Sequence, residues 1–149
     1  MIRVLVVDDS VTARMMISNI LKSDREIEVI AQASNGREAV EFVSRLKPDL
    51  ITMDINMPVM DGLKATEEIM AYHPTPILIV STLVKSQMNL AFQAISVGAL
   101  DTIEKPTAEA NARGYQQFIQ KVKLLSKIKL SLTLELLSIQ KKYPRTVFQ

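Results

Sequence analysis

Five residues capable of chemistry stand where short apolar runs end. Asp8 and Asp9 follow the run at 3–7, Asp54 follows 50–53, Ser81 follows 77–80, and Lys105 comes just after 100–103. If these runs share one sheet edge, three carboxylates, a hydroxyl and an ammonium share one shallow pocket. Carboxylates packed together repel unless a cation neutralises them. A hard divalent ion such as Mg²⁺ does so with one or two carboxylates, a carbonyl and several waters. Here Asp9 and Asp54 are expected to supply direct oxygens, the backbone carbonyl of Asn56 a third, and Asp8 a hold on a bound water. A carboxylate poised by such a metal can attack a phosphoryl group in line and form an acyl phosphate. Charge on the transferring oxygens is then left to the metal, Lys105 and Ser81.

The elements that must position these residues alternate regularly. Residues 3–7 are a β-branched run, and Ser10 is a good N-cap for the helix that follows. Ala13, Met16, Ile17, Ile20 and Leu21 line one face of that helix. Residues 28–33 read as a second strand. Asn35 and Gly36 then open a helix carrying Ala39, Val40, Phe42, Val43 and Leu46, which stops before Pro48. A short third strand ends at Asp54, and beyond the turn-rich stretch 56–62 a third helix runs through Met70. Pro74 and Pro76 bracket a turn into the fourth strand. Ser86 is expected to cap a fourth helix, with Met88, Ala91, Phe92 and Ile95 inward and Gly98 as its stop. A weaker fifth strand at 100–103 and a polar linker at 107–114 lead to a fifth helix from about Tyr115.

Five strand–helix alternations predict an α/β domain, a parallel sheet with helices on both faces. The unbroken apolar character of strands one, three and four suits strands covered on both sides. Sites in such sheets form outside the carboxyl ends of the strands, where strand order reverses, so the five residues converge. Singly, each has a plainer reading. Asp8 and Asp9 would favour a helix N-terminus, and Lys105-Pro106 would be a turn. Together, at consecutive strand ends, they exceed it.

Composition narrows the classes. The chain has 149 residues, 48% of them hydrophobic, enough for one domain with its own core. It has no cysteine, which removes disulfides, thiolate zinc sites and cysteine nucleophiles, and no run long enough for a membrane span. A soluble, cytoplasmic protein is expected. The net charge of +2 hides an asymmetry: residues 1–120 carry 11 Lys+Arg against 15 Asp+Glu, and residues 121–149 carry 7 against 1. The basic balance belongs to a tail, so no nucleic-acid partner is expected from it.

These motifs resemble a known family. VLVVDDS at 4–10, KPDLITMDINMPVMDG at 47–62, and VGALD at 97–101 with Lys105-Pro106 are similar to the receiver domains of two-component response regulators. ASNGREA at 33–39, HPTP at 73–76 and VSTL at 80–83 resemble more closely the receiver half of the chemotaxis protein-glutamate methylesterase. The resemblance implies a doubly wound, flavodoxin-like sheet of five parallel strands in the order 2-1-3-4-5. It implies Asp54 as phosphoacceptor, Asp8 and Asp9 as the acidic Mg²⁺ pocket, Ser81 as switch hydroxyl and Lys105 as the active-site lysine. It also implies a sensor histidine kinase as phosphodonor and an effector domain or partner protein as target. Two positions depart from the pattern. Thr102 stands where receivers usually carry Tyr or Phe, and Asn56 where methylesterase receivers usually carry Glu.

Rival readings fare worse. His73 is the single histidine, read as an exposed turn residue, and only 26 residues follow Lys123, so no Ser-His-Asp hydrolase site is expected and the chain reads as regulatory, not as an enzyme. An aspartyl-nucleophile phosphatase would want a second acid two residues after Asp8, where Ser10 stands. Nothing after Gly114 has room for a helix-turn-helix, and the strand-one turn lacks dinucleotide-binding glycines. Two readings remain: the receiver part of a methylesterase, or a stand-alone receiver acting by protein binding. The receiver is expected over 1–123 and a leucine-rich basic tail over 124–149. Ile128, Leu130, Leu132, Leu134 and Leu136 alternate like a strand, while leucine and lysine favour a continued helix. The helix is the preferred reading, and so many leucines imply a partner or a second copy.

Overall fold

The fold is a computed structural model that describes residues 1–107, 109, 111–128 and 142. In chain order it runs β1 (Ile2–Val7), α1 (Val11–Lys22), β2 (Ile27–Ala33), α2 (Gly36–Leu46), β3 (Leu50–Asp54), α3 (Gly62–Tyr72), β4 (Ile77–Ser81), α4 (Lys85–Ser96), β5 (Asp101–Glu104) and α5 (Ala112–Ser126). The five strands form one parallel sheet in the order β2-β1-β3-β4-β5, as expected. Register aligns Val4 with Leu50, Ile51 with Ile77, and Leu78 with Asp101.

Alternation along the strands divides the core. Leu5, Val7, Ile51, Met53, Ile77 and Ile79 face a cluster containing Ala39 and Val43 of α2, Ala65 and Ile69 of α3, and Ala91 and Ala94 of α4. Val4, Val6, Leu50, Leu78 and Val80 face Ile17, Ile20 and Leu21 of α1 and Phe118, Ile119 and Val122 of α5. Both sides of the central strands are thus removed from water, which is why these runs read as continuously apolar. Among α1 to α5, each helix start but one is capped by a side chain. Ser10, Asn35, Asp61 and Asn111 accept from Ala13, Glu38, Lys64 and Gly114 N–H respectively.

The exception is α4, where the structure corrects the sequence reading. The helix begins at Lys85 after Val84, with no side-chain cap, and Ser86 lies inside its first turn. Its buried residues are Ala91 and Ala94, whereas Met88, Phe92 and Ile95 are exposed. The short edge strand β5 offers little surface to cover, so α4 approaches on its small residues and its larger apolar ones turn outward. α5 also begins earlier than Tyr115, at Ala112, and it carries Leu125 into the core before ending at Ser126. Expectations for residues 129–149, the leucine alternation among them, fall outside the described part of the chain apart from Lys142. Among the described residues, no helix is long and apolar enough to cross a membrane.

The loop after Asp54 is pinned by two glycines. Gly36 N–H donates to Met60 O at 2.8 Å and Gly62 N–H to Ile55 O at 2.9 Å. A Cβ on Gly62 would lie 2.2 Å from Asp54 O and 2.9 Å from Ile55 Cα, and one on Gly36 would lie 2.5 Å from Met60 O. Between them, Met60 N–H closes a tight turn on Pro58 O at 2.7 Å, with Val59 at φ 67°. Gly62→Ala is therefore expected to lower stability by about 3 kcal/mol, since backbone rather than a flexible side chain must yield. Urea unfolding checks it: a midpoint unchanged from wild type would show that the loop yields freely.

Candidate functional site

At the carboxyl ends of the strands, the structure brings Asp8, Asp9, Asp54 and Lys105 together. One carboxylate oxygen from each of Asp8, Asp9 and Asp54 lies within 4.8 Å of the others. Asp8 is fully buried and Asp54 nearly so, while Asp9 is exposed. Lys105 Nζ stands 2.8 Å from Asp8 Oδ2 and 3.9 Å from Asp54 Oδ2. The closer contact is an ion pair without hydrogen-bond alignment, which leaves Asp8 Oδ2 an unsatisfied buried acceptor. A set of hard oxygen donors with one buried oxygen in need of a partner suits a small divalent cation.

Each side chain arrives by a local device. Asp8 and Asp9 emerge where β1 leaves the sheet. Asp8 N–H still donates to Ala33 O at 3.0 Å, and Asp8 Oδ1 accepts from Ser10 N–H at 2.9 Å. Asp54 closes β3, paired in register with Val80. Ser81 ends β4, buried, and its carbonyl accepts from Lys105 N–H at 2.8 Å, so the edge strand's last bond aims Lys105 at the acids. Asn56 lies exposed on the loop held by Gly36 and Gly62. Lys105 thus pairs with the acids whose pocket it shares, a contact the sequence reading left unassigned beside its role toward transferring oxygens.

Burial and then the adjacent Asp8 carboxylate push Asp54 up to about 7, against the opposing pull of Lys105. A hydrogen bond with Asp9 adds to the rise. Asp54 therefore bears a cost of burial and of acidic neighbours that a cation would relieve.

Beyond β4, Gln87 of α4 holds the loop. Its Oε1 accepts from Thr82 N–H at 2.9 Å and from Thr82 Oγ1 at 3.0 Å. A cavity of about 110 Å³ opens among Ser81, Met88, Ala91, Phe92 and Thr102 of β5. His73 caps the end of α3 and is exposed, away from the acids.

Two participants escaped sequence reasoning. Arg14 Nη1 donates to Asp8 O at 2.7 Å. Glu38 accepts from both the N–H and the hydroxyl of Ser34, which hold its carboxyl below the usual range, and the charge of Arg14 adds to this. A signal for Arg14 existed: a cation early in a helix is unfavourable unless something there needs it.

Comparison with known proteins places these features in a family. The response regulator receiver domain model matches residues 4–117. The protein-glutamate methylesterase/protein-glutamine glutaminase of Methanococcus maripaludis is 46% identical over 132 residues. That match takes in 87% of this chain but 36% of the relative, so the chain spans about a third of its length. The crystal structure of the response regulator domain of Thermotoga maritima CheB superposes with a TM-score of 0.75 at 37% identity, covering 85% of this chain and 96% of that one. The CheX-CheY-BeF3-Mg+2 complex from Borrelia burgdorferi matches with a TM-score of 0.68 at 30% identity, over 80% and 85% of the two chains.

Proposed function

Because the chain belongs to the response regulator receiver family, we propose that it accepts a phosphoryl group on Asp54 from the phosphohistidine of a sensor kinase and relays the change to an effector. The observation that carries this reading is the close set of Asp8, Asp9 and Asp54 with Lys105 against it. Asp9, Asp54 and the Asn56 carbonyl would hold Mg²⁺ directly and Asp8 through a water, and the ion would offset the charge of the acids and of the phosphoryl oxygens. The Borrelia complex, which contains Mg²⁺ and BeF3, supports that choice of ion.

The remaining work falls to the chain's own groups. An ionised Asp54 oxygen attacks phosphorus while the bond to the histidine nitrogen breaks, and the electron pair of that bond leaves with the imidazole. Lys105, already against the acids, pairs with an oxygen of the new phosphoryl group, and the Ser81 hydroxyl donates to another. The role is regulatory and cytoplasmic, with no hydrolysis in this chain. Likeness to methylesterases over one part of their length favours a receiver that controls a methylesterase domain over one that acts alone.

Incubation with a small phosphodonor and Mg²⁺ tests the proposal. The expected adduct is hydroxylamine-sensitive, requires the divalent ion and maps to Asp54. A label on another residue, or one indifferent to chelator, would overturn the reading. The division of labour among the acids has its own test. Asp9→Asn is expected to weaken Mg²⁺ binding more than Asp8→Asn, for which about tenfold is the ordinary loss of a group acting through water. Equal losses in calorimetric titrations would refute that division.

A further inference from the structure

The geometry points to Arg14 as a positioning residue for Asp9, acting through the carbonyl of the peptide unit that joins Asp8 to Asp9. The inference rests on the proposed metal role of Asp9. Asp8 is anchored at several points: its N–H donates to Ala33 O, its Oδ1 accepts from Ser10 N–H, and its Oδ2, without a hydrogen bond, lies beside the Lys105 ammonium. Its carbonyl lies past the last residue of β1, and its partner is Arg14 Nη1 at 2.7 Å. Asp9 is less firmly framed, its side chain meeting that of Asp54. It is exposed and hangs from the other end of that same peptide unit. A peptide unit is planar, so fixing the Asp8 oxygen fixes the Asp9 nitrogen and the axis about which Asp9 turns.

Arg14 is itself well placed for this. Its own N–H donates to Ser10 O at 2.9 Å, which sets it one turn into α1, and helical side chains lean back toward the N-terminus. Its charge also acts on Glu38, whose carboxylate is held by Ser34 at the start of α2. Arg14 therefore binds the turn after β1 through the Asp8–Asp9 peptide, and its charge reaches the start of α2.

Positioning and simple charge predict opposite signs. A cation near a metal site repels the metal, so removing Arg14 for charge reasons alone would tighten binding. Removing a clamp on a ligand loosens it, by about tenfold where outer partners of metal ligands have been removed. Mg²⁺ titrations of the whole chain separate the two, using wild type, Arg14→Ala, Arg14→Lys, Asp9→Asn and the double variant Arg14→Ala/Asp9→Asn. Arg14→Ala is expected to bind about tenfold more weakly, and Arg14→Lys, which keeps one donor and the charge, to recover part of the loss. Since Arg14 acts through Asp9, the Arg14→Ala change is expected to cost almost nothing further once Asp9 is asparagine. Unchanged or tighter binding in Arg14→Ala overturns the inference, as does a full additive loss in the double variant. Should Arg14→Ala melt early in chelator, Arg14→Lys alone and in the Asp9→Asn background carries the same comparison. A wild-type chain that binds no Mg²⁺ overturns the metal reading itself, whereas wild-type binding with an indifferent Arg14 overturns only the positioning role.

Discussion

Asparagine at position 54 is expected to abolish phosphoryl labelling, a loss of at least about 10³-fold in rate, while leaving the fold intact. The amide matches the carboxylate in size, so the packing at the end of β3 survives. What disappears is the only buried acid at the end of the central strand, and neither Asp8 nor Asp9 is placed to substitute. Asp8 is committed to Ser10 N–H and Lys105, and Asp9, though its carboxylate is near, is exposed to water. A second consequence follows from electrostatics. Asp54 carries the burden of burial beside Asp8, so a neutral residue there relieves repulsion, and the metal-free variant is expected to melt above wild type near neutral pH. Labelling by a phosphodonor and a melting curve in chelator test the two halves. Label persisting at the wild-type rate would remove Asp54 from its role. A lower melting point would mean that the carboxylate stabilises the fold.

Mg²⁺ affinity is expected to depend steeply on pH below neutrality. Asp54 stands at about 7 in the fold against an ordinary 3.8, so the folded, metal-free protein keeps a proton that the unfolded chain gives up near pH 4. Its contribution to stability is therefore lost as pH rises from about 4 to about 7 and is constant above that, the reverse of a salt-bridged aspartate. Metal binding needs the ionised carboxylate and displaces that proton. Affinity is thus expected to climb about tenfold per pH unit up to about pH 7 and then level off. Lys105 opposes the rise of Asp54, so Lys105→Ala is expected to move the break to higher pH. Titrations from about pH 5.5 to about pH 8 decide it, and a flat profile would show that Asp54 is ionised throughout.

The strand ends were legible because the central strands are covered on both faces, so their apolar runs break off abruptly at the first residue that must meet the site. Asp8, Asp54 and Ser81 are such breaks. The strand order could not be read from those runs, since nothing in an apolar strand names its neighbour. It followed from the likeness of the motifs to receivers. The face of α4 misled because Met88, Ala91, Phe92 and Ile95 follow a helical period as cleanly as a buried face would. The period reports that residues share a side and leaves open which side the sheet covers, and here the sheet takes Ala91 and Ala94. Arg14 was missed because its partner is a backbone carbonyl, which no residue type names, so that its charge early in α1 was the one sign of it. Nor could spacing tell which of three acids bears the cost of burial. That depends on how the fold buries Asp54 beside Asp8, while Asp9 reaches water.

The sheet order also sets a clock. β1, β3 and β4 are interior strands with nearly every side chain buried, whereas β5 is one of the two edges, only partly covered. Amide hydrogens on interior strands exchange with deuterium only when the whole domain opens, while those on an edge exchange through small local openings. The acids are therefore mounted on the slow half of the molecule and Lys105 on the fast half, beyond Glu104. Exchange at 101–104 would record a displacement of Lys105 on a timescale at which the floor beneath Asp54 still holds every one of its protons.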